Sequence, residues 1–188
     1  PETGEIFPEL VSFDELMRSF VQQNEIPGGA LAVAKDGRLV YARGFGYANQ
    51  KKKEPVNPES LFRIASISKP LTAVATLQLI EQGKLKLDDS VFGLLPHKAH
   101  LPTGKRVDPR LENITVAHLM RHQGGWHRDK SIDPLFHSIE IASSLGKQPP
   151  ASQDDIITFM KGWPLDFEPG TLYAYSNLGY CLLGRVIE

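Results

Sequence analysis

Ser66-Ile67-Ser68-Lys69 places a hydroxyl and a primary amine three residues apart, and Tyr175-Ser176-Asn177 adds a phenol and an amide far along the chain. A serine oxygen becomes an effective nucleophile only when a neighbouring group takes its proton, and lysine with tyrosine can do so in place of histidine. Both titrate near 10 when unperturbed, so each needs surroundings that lower its pKa. An ammonium stabilises a tyrosinate beside it, while desolvation disfavours the charged lysine, so the two together hold one mobile proton. On a helix, residues i and i+3 share a face, and Lys69 can then reach back to the Ser66 hydroxyl. A helix start also offers unpaired N–H groups and a positive dipole end, which favour an oxyanion forming next to Ser66.

The letters alone carry little. With twelve serines and twelve lysines in 188 residues, an S-x-x-K match is expected by chance about once. A second one is present in Ser144-Leu145-Gly146-Lys147, and Tyr47-Ala48-Asn49 repeats the Y-x-N pattern. Position separates the candidates. Gly146 and the following Gln148-Pro149-Pro150 argue against a helix through Ser144, which reads as a loop residue. Tyr47 follows a strand pattern and reads as a packing residue.

The elements that must position Ser66 and Tyr175 follow from periodicity. Ser12-Phe13-Asp14-Glu15 has the form of a capping box, and Phe13, Leu16, Met17, Phe20 and Val21 recur at helical spacing, which predicts an amphipathic helix over 12–24 ended by Pro27-Gly28-Gly29. Two β-rich runs, 30–35 and 39–45, joined by Asp36-Gly37, predict a hairpin that must belong to a larger sheet. From Ile67 to Gln82 apolar residues cover most of the helix circumference, so a helix buried on several sides is expected, with Ser66 at its start, Pro70 in its first turn and Gly83 as its stop. Later helices are expected over 115–122, 152–161 and from Asn177 onward; Ser152-Gln153-Asp154-Asp155 has the form of an acidic capping box. Tyr175 falls between the Pro169-Gly170 turn and the last helix, where a side chain can project into a cleft. Residues 1–65 thus read as a helix and hairpin of a sheet domain, and 66–188 as a mainly helical lobe carrying both motifs.

Four ordered segments resemble one known family. They are Phe62-Arg63-Ile64-Ala65-Ser66-Ile67-Ser68-Lys69, Gly83-Lys84-Leu85-Lys86-Leu87-Asp88-Asp89, His118-Leu119-Met120-Arg121-His122-Gln123-Gly124-Gly125, and Glu168-Pro169-Gly170 through Tyr175-Ser176-Asn177-Leu178-Gly179-Tyr180. Their order and spacing resemble the serine β-lactamase and penicillin-binding protein superfamily, in the branch of class C β-lactamases, related esterases and D-amino-acid peptidases. The resemblance implies an α/β (α+β) fold, an antiparallel sheet flanked by helices plus an all-helical lobe. It also implies a serine hydrolase in which Ser66 is acylated, Lys69 and Tyr175 handle its proton, and Asn177 binds the substrate amide or the lysine. The substrate would be a small molecule or short peptide bearing a β-lactam, D-amino-acid peptide or ester carbonyl, and no cofactor or metal is called for. The family's third motif, a Lys or His followed by Ser or Thr and Gly on a sheet-edge strand, is not found after Tyr175. A C-terminal remainder supplying the other sheet strands, possibly as a separate chain, is therefore expected. Family resemblance favours a periplasmic or secreted location.

Rival readings are available on the same residues. His118 and His122, four apart on the expected helix, suggest a zinc hydrolase, but Leu119 occupies the position of the glutamate in H-E-x-x-H and a third ligand is not evident. No G-x-S-x-G elbow is present to support a histidine-activated serine. A protein of this fold that binds or assembles without turnover is the non-enzyme alternative. Trp126, after the double glycine, could line a substrate entrance or pack in the core.

Composition narrows the classes further. The formal net charge is −1, which gives no overall field for nucleic acid or an anionic membrane; Lys51-Lys52-Lys53 is the only basic run and reads as a solvated turn. No apolar run reaches 18 residues, so no membrane span is expected. The single cysteine, Cys181, lies in an apolar run and reads as a core thiol.

Overall fold

In the computed structural model, which describes residues 1–188, Asp36 and Gly37 adopt φ of 51° and 73° and turn β2 (Gly28–Lys35) back onto β3 (Arg38–Asn49). Two successive left-handed residues give a turn whose twist matches that of the strands, so the pair Lys35 and Arg38 closes a two-residue hairpin. The short strands β1 (Glu2–Thr3) and β4 (Glu54–Pro55) both pair antiparallel with β3, which completes a four-stranded sheet. Lys51, Lys52 and Lys53 form the exposed turn before β4.

The chain divides into two units, Pro1–Arg63 and Ile64–Glu188. In the first, Tyr41, Arg43 and Phe45 alternate along β3 and are all buried, as the two-residue strand period requires. Helix α1 (Val11–Gln23) buries only Asp14, whose carboxylate accepts a 2.6 Å hydrogen bond from Tyr41 Oη and pairs with Arg43 at 2.6 Å. Three expectations for this helix need correction. Ser12 does not cap it, because a 3-10 turn over Pro8–Leu10 leads straight in and leaves Ser12 inside the first turn. Its end is made by Asn24 and a left-handed Glu25, so Gly28 and Gly29 belong to β2. Leu16 and Phe20, expected on a packed face, are 60% and 51% exposed.

The second unit is helical, with one isolated bridge between Ser90 and Thr115 as its only β pairing. Helix α2 (Ser68–Glu81) ends on Gln82, and Gly83 at φ 70° lets its own N–H reach Ile80 O and the Lys84 N–H reach Leu79 O, the two bonds of a Schellman stop. Helices α3 (Val91–Leu94), α4 (Val116–Met120), α5 (Ser138–Ser144), α6 (Gln153–Lys161) and α7 (Asn177–Ile187) follow. Val91, Leu111, Ile114, Leu119, Leu178 and Leu183 are at most 1% exposed and form the centre of the core. The capping box at Ser152 is present, with Asp155 returning a bond to the Ser152 N–H.

Two expectations in this unit are overturned. Helix α2 is not buried on several sides: Thr76 is its only buried residue, and Leu71, Val74 and Leu77 are exposed. The helix packs along one side only, where Leu79 and Ile80 meet the core. Ser144 is not a loop residue but the last residue of α5, where its Oγ donates to Glu140 O. The chain leaves that helix only afterwards, with Gly146 at φ 66°. Lys147 then bonds the Asp155 carboxylate, so the rival S-x-x-K pair is drawn apart.

Candidate active site

Ser66 lies two residues before α2 begins at Ser68. It is the middle residue of a 3-10 turn, Ala65–Ile67, that runs directly into α2. Ala65 holds φ 46°, a left-handed conformation that costs an alanine on the order of 1–2 kcal/mol. The Ser66 side chain is exposed. Lys69, in the first turn of α2, reaches back and its Nζ donates to Ser66 Oγ at 3.2 Å.

Tyr175 is brought to the same place by a second strip of chain. Residues 122–125 and 166–176 are laced together: Asp166 N–H and Phe167 N–H donate to Gly125 O, Gly170 N–H to Gln123 O, and Ala174 N–H to His122 O. Ser176, not Asn177, caps α7, accepting from Gly179 N–H at 3.1 Å. The Asn177 amide is thereby free to face α2. As a result Ser66 Oγ lies 2.6 Å from Tyr175 Oη, and Asn177 Oδ1 accepts from Lys69 Nζ at 2.6 Å. All four residues picked from the sequence meet in one hydrogen-bonded cluster.

The charges around Tyr175 favour its phenolate form. Lys69 Nζ stands 4.7 Å from the Tyr175 ring centre and Arg128 Cζ 5.3 Å from it. The Lys69 ammonium, the Ser66 hydrogen bond and the Arg128 charge lower the Tyr175 pKa from its ordinary value against a smaller upward push from burial. Beyond Tyr175 the His122 ring lies 4.6 Å from Tyr175 and 5.0 Å from Tyr180, centre to centre. Burial, then the Lys69 charge, hold His122 below its usual pKa. Its Nδ1 accepts from the Ser176 N–H at 3.1 Å, so the neutral ring carries its proton on Nε2.

The two histidines do not form the helical pair of a zinc site. Helix α4 ends at Met120, and His122 stands beyond it at φ 56°. His118 instead closes a capping box, its Nδ1 accepting from Thr115 N–H, while its Nε2 faces Gly170, where a Cβ would come within 2.8 Å. No group of three or more His, Cys, Asp or Glu side chains is placed to hold a metal ion.

Sequence reasoning missed Asp133, whose Oδ2 accepts from Asn177 Nδ2 at 2.7 Å, and Arg128, which with His127, Tyr173 and Tyr175 lines an open cavity of about 190 Å³. Asp133-Pro134 does carry a signal, an N-cap residue followed by proline at the first position of a turn. Nothing in the sequence links it to Asn177. Trp126 belongs to the core at 3% exposure, with its indole N–H unpartnered. Cys181 is half-buried on α7, and burial pushes its thiol pKa up to about 11.

Comparison with known proteins gives the family. Residues 13–188 match the Beta-lactamase family. The chain belongs to the beta-lactamase family. Among curated relatives, "Protein flp" of Staphylococcus aureus (strain COL) is 28% identical over 175 residues, which are 93% of this chain and 32% of that protein. Among solved structures, the octameric penicillin-binding protein homologue from Pyrococcus abyssi aligns with TM-score 0.69 and 30% identity, covering 96% of this chain and 39% of that one. A class C beta-lactamase in complex with cefoxitin aligns with TM-score 0.66 and 26% identity, covering 93% and 42% respectively. The β-lactamase-like fold expected from the four segments is the one observed. The chain spans about a third of the length of the curated relatives it matches first. No helix is long and apolar enough to cross a membrane.

Proposed function

We propose that the protein is a serine hydrolase that forms an acyl-enzyme on Ser66. The observation that carries this is the approach of Ser66 Oγ to both Tyr175 Oη, at 2.6 Å, and Lys69 Nζ, at 3.2 Å. In the proposed first stage Ser66 Oγ bonds to a substrate carbonyl carbon while its proton passes to Tyr175 Oη, held as phenolate by Lys69. The carbonyl oxygen becomes an oxyanion, then collapses to expel the leaving group, which takes that proton back through Tyr175. Water repeats the sequence on the acyl-enzyme, and Ser66 leaves with a proton. Asn177, bound to Lys69 through Oδ1, keeps the ammonium turned toward Ser66.

Substrates are drawn from the compounds named with the relatives. Penicillin-binding protein homologues and a class C beta-lactamase with cefoxitin support a strained or peptidic amide carbonyl, and simple esters are the less demanding probe of the same step. A fluorescent penicillin and p-nitrophenyl acetate test the reading on the full-length protein. Covalent labelling and p-nitrophenol release are both expected, and both are lost in Ser66→Ala. Reversible penicillin binding without a covalent adduct would replace this reading with the non-catalytic binding role.

A further inference from the structure

The Asn177 amide is clamped between a cation and an anion, and the anion has no part in the reaction sequence above. Oδ1 of Asn177 accepts from Lys69 Nζ at 2.6 Å, and Nδ2 donates to Asp133 Oδ2 at 2.7 Å. Only this orientation of the amide works, because the flipped one would set its NH2 against an ammonium and its oxygen against a carboxylate. Asp133 is itself fixed. Its other oxygen, Oδ1, accepts from Leu135 N–H at 3.3 Å, capping the 3-10 turn Pro134–Phe136. Pro134 at the first position of that turn is buried, so the carboxylate is anchored on a short, packed element.

Resting on the nucleophile reading of Ser66, we propose that Asp133 is a positioning residue for that reaction, acting through Asn177. It holds the asparagine with its oxygen toward Lys69, and so holds the Lys69 amine against Ser66. The relay Asp133, Asn177, Lys69, Ser66 joins the 3-10 turn after residue 133, the first turn of α7 and the first turn of α2. Each carboxylate oxygen has a single donor to satisfy, which makes the assignment sharp. An asparagine at 133 offers one oxygen for two donors and must abandon either Leu135 N–H or Asn177.

The test is the second-order rate of fluorophosphonate labelling of the full-length protein, followed across pH, for wild type, Asp133→Ala, Asp133→Asn, Asn177→Ala and the Asp133→Ala/Asn177→Ala double variant. Asp133→Ala is expected to slow labelling about tenfold, the fold-change of one lost charge-assisted hydrogen bond. Asp133→Asn, which keeps the side chain's volume and guards against a folding artefact, is expected to slow it as well. The loss from Asp133→Ala should vanish when Asn177 is already alanine, because the relay is then cut downstream. Wild-type labelling rates in Asp133→Asn, or an Asp133→Ala loss that persists in full without Asn177, would overturn the positioning role while leaving Ser66 as the nucleophile. Failure of the wild-type protein to label overturns both.

Discussion

The Tyr175 phenol is held below its ordinary pKa, first by Lys69 and then by the Ser66 hydrogen bond, and under the proposed mechanism this sets what single substitutions will do. A lowered pKa favours the phenolate relative to an ordinary tyrosine. Acylation should therefore rise with pH through an acidic limb that lies below the usual tyrosine value. Tyr175→Phe removes the acceptor and leaves the ring packing on His122; acylation by p-nitrophenyl acetate is expected to fall ~10²–10⁴-fold with the limb abolished. A stopped-flow pH profile of the p-nitrophenol burst reads both. The pairing was legible from the three-residue spacing only together with the expected helix start and the four ordered segments, and Ser66 itself lies in the 3-10 turn just ahead of α2. Asp133 was not legible, since it stands 44 residues from Asn177 and only folding brings the two together.

Capping and turn chemistry explain which elements were readable. At Ser152 the letters and the fold agree, because the preceding chain is extended and the hydroxyl is free to accept from Asp155 N–H. At Ser12 the same kind of letters fail, since the 3-10 turn through Pro8 already supplies the helix entry. Helix α5 was missed because Gly146, Pro149 and Pro150 crowd its end and mask seven helical residues before them. The burial of α2 was overestimated for a different reason: apolar periodicity reports which faces suit burial, not which faces receive a neighbour. Two substitutions test the element ends. Ser152→Ala should destabilise the protein by about 1 kcal/mol through loss of the N-cap. Gly83→Ala, at φ 70°, should cost a similar amount, about 1 kcal/mol, by placing a Cβ in a left-handed residue. Urea unfolding with unchanged m-value checks both.

On the scale of the whole molecule, the helical unit is held together partly by carboxylates that must stay ionised. Arg110 holds Asp108 down to about 2, and Lys147 holds Asp155 down to about 2. A carboxylate whose folded pKa lies below its ordinary 3.8 contributes stability above that value and loses it as pH falls toward about 2. Acid unfolding should therefore set in between about pH 4 and 2, and Asp108→Asn should flatten that dependence when followed by tryptophan fluorescence. The family-level fold was legible because four short segments occur in a fixed order over most of the chain. The central proposal is that Ser66 is the nucleophile, and one measurement tests it most directly. Intact-mass and peptide mapping of the full-length protein after fluorophosphonate treatment should give a single adduct on the peptide bearing Ser66, and none in Ser66→Ala. An unmodified wild-type protein, or an adduct that survives Ser66→Ala, would contradict the account.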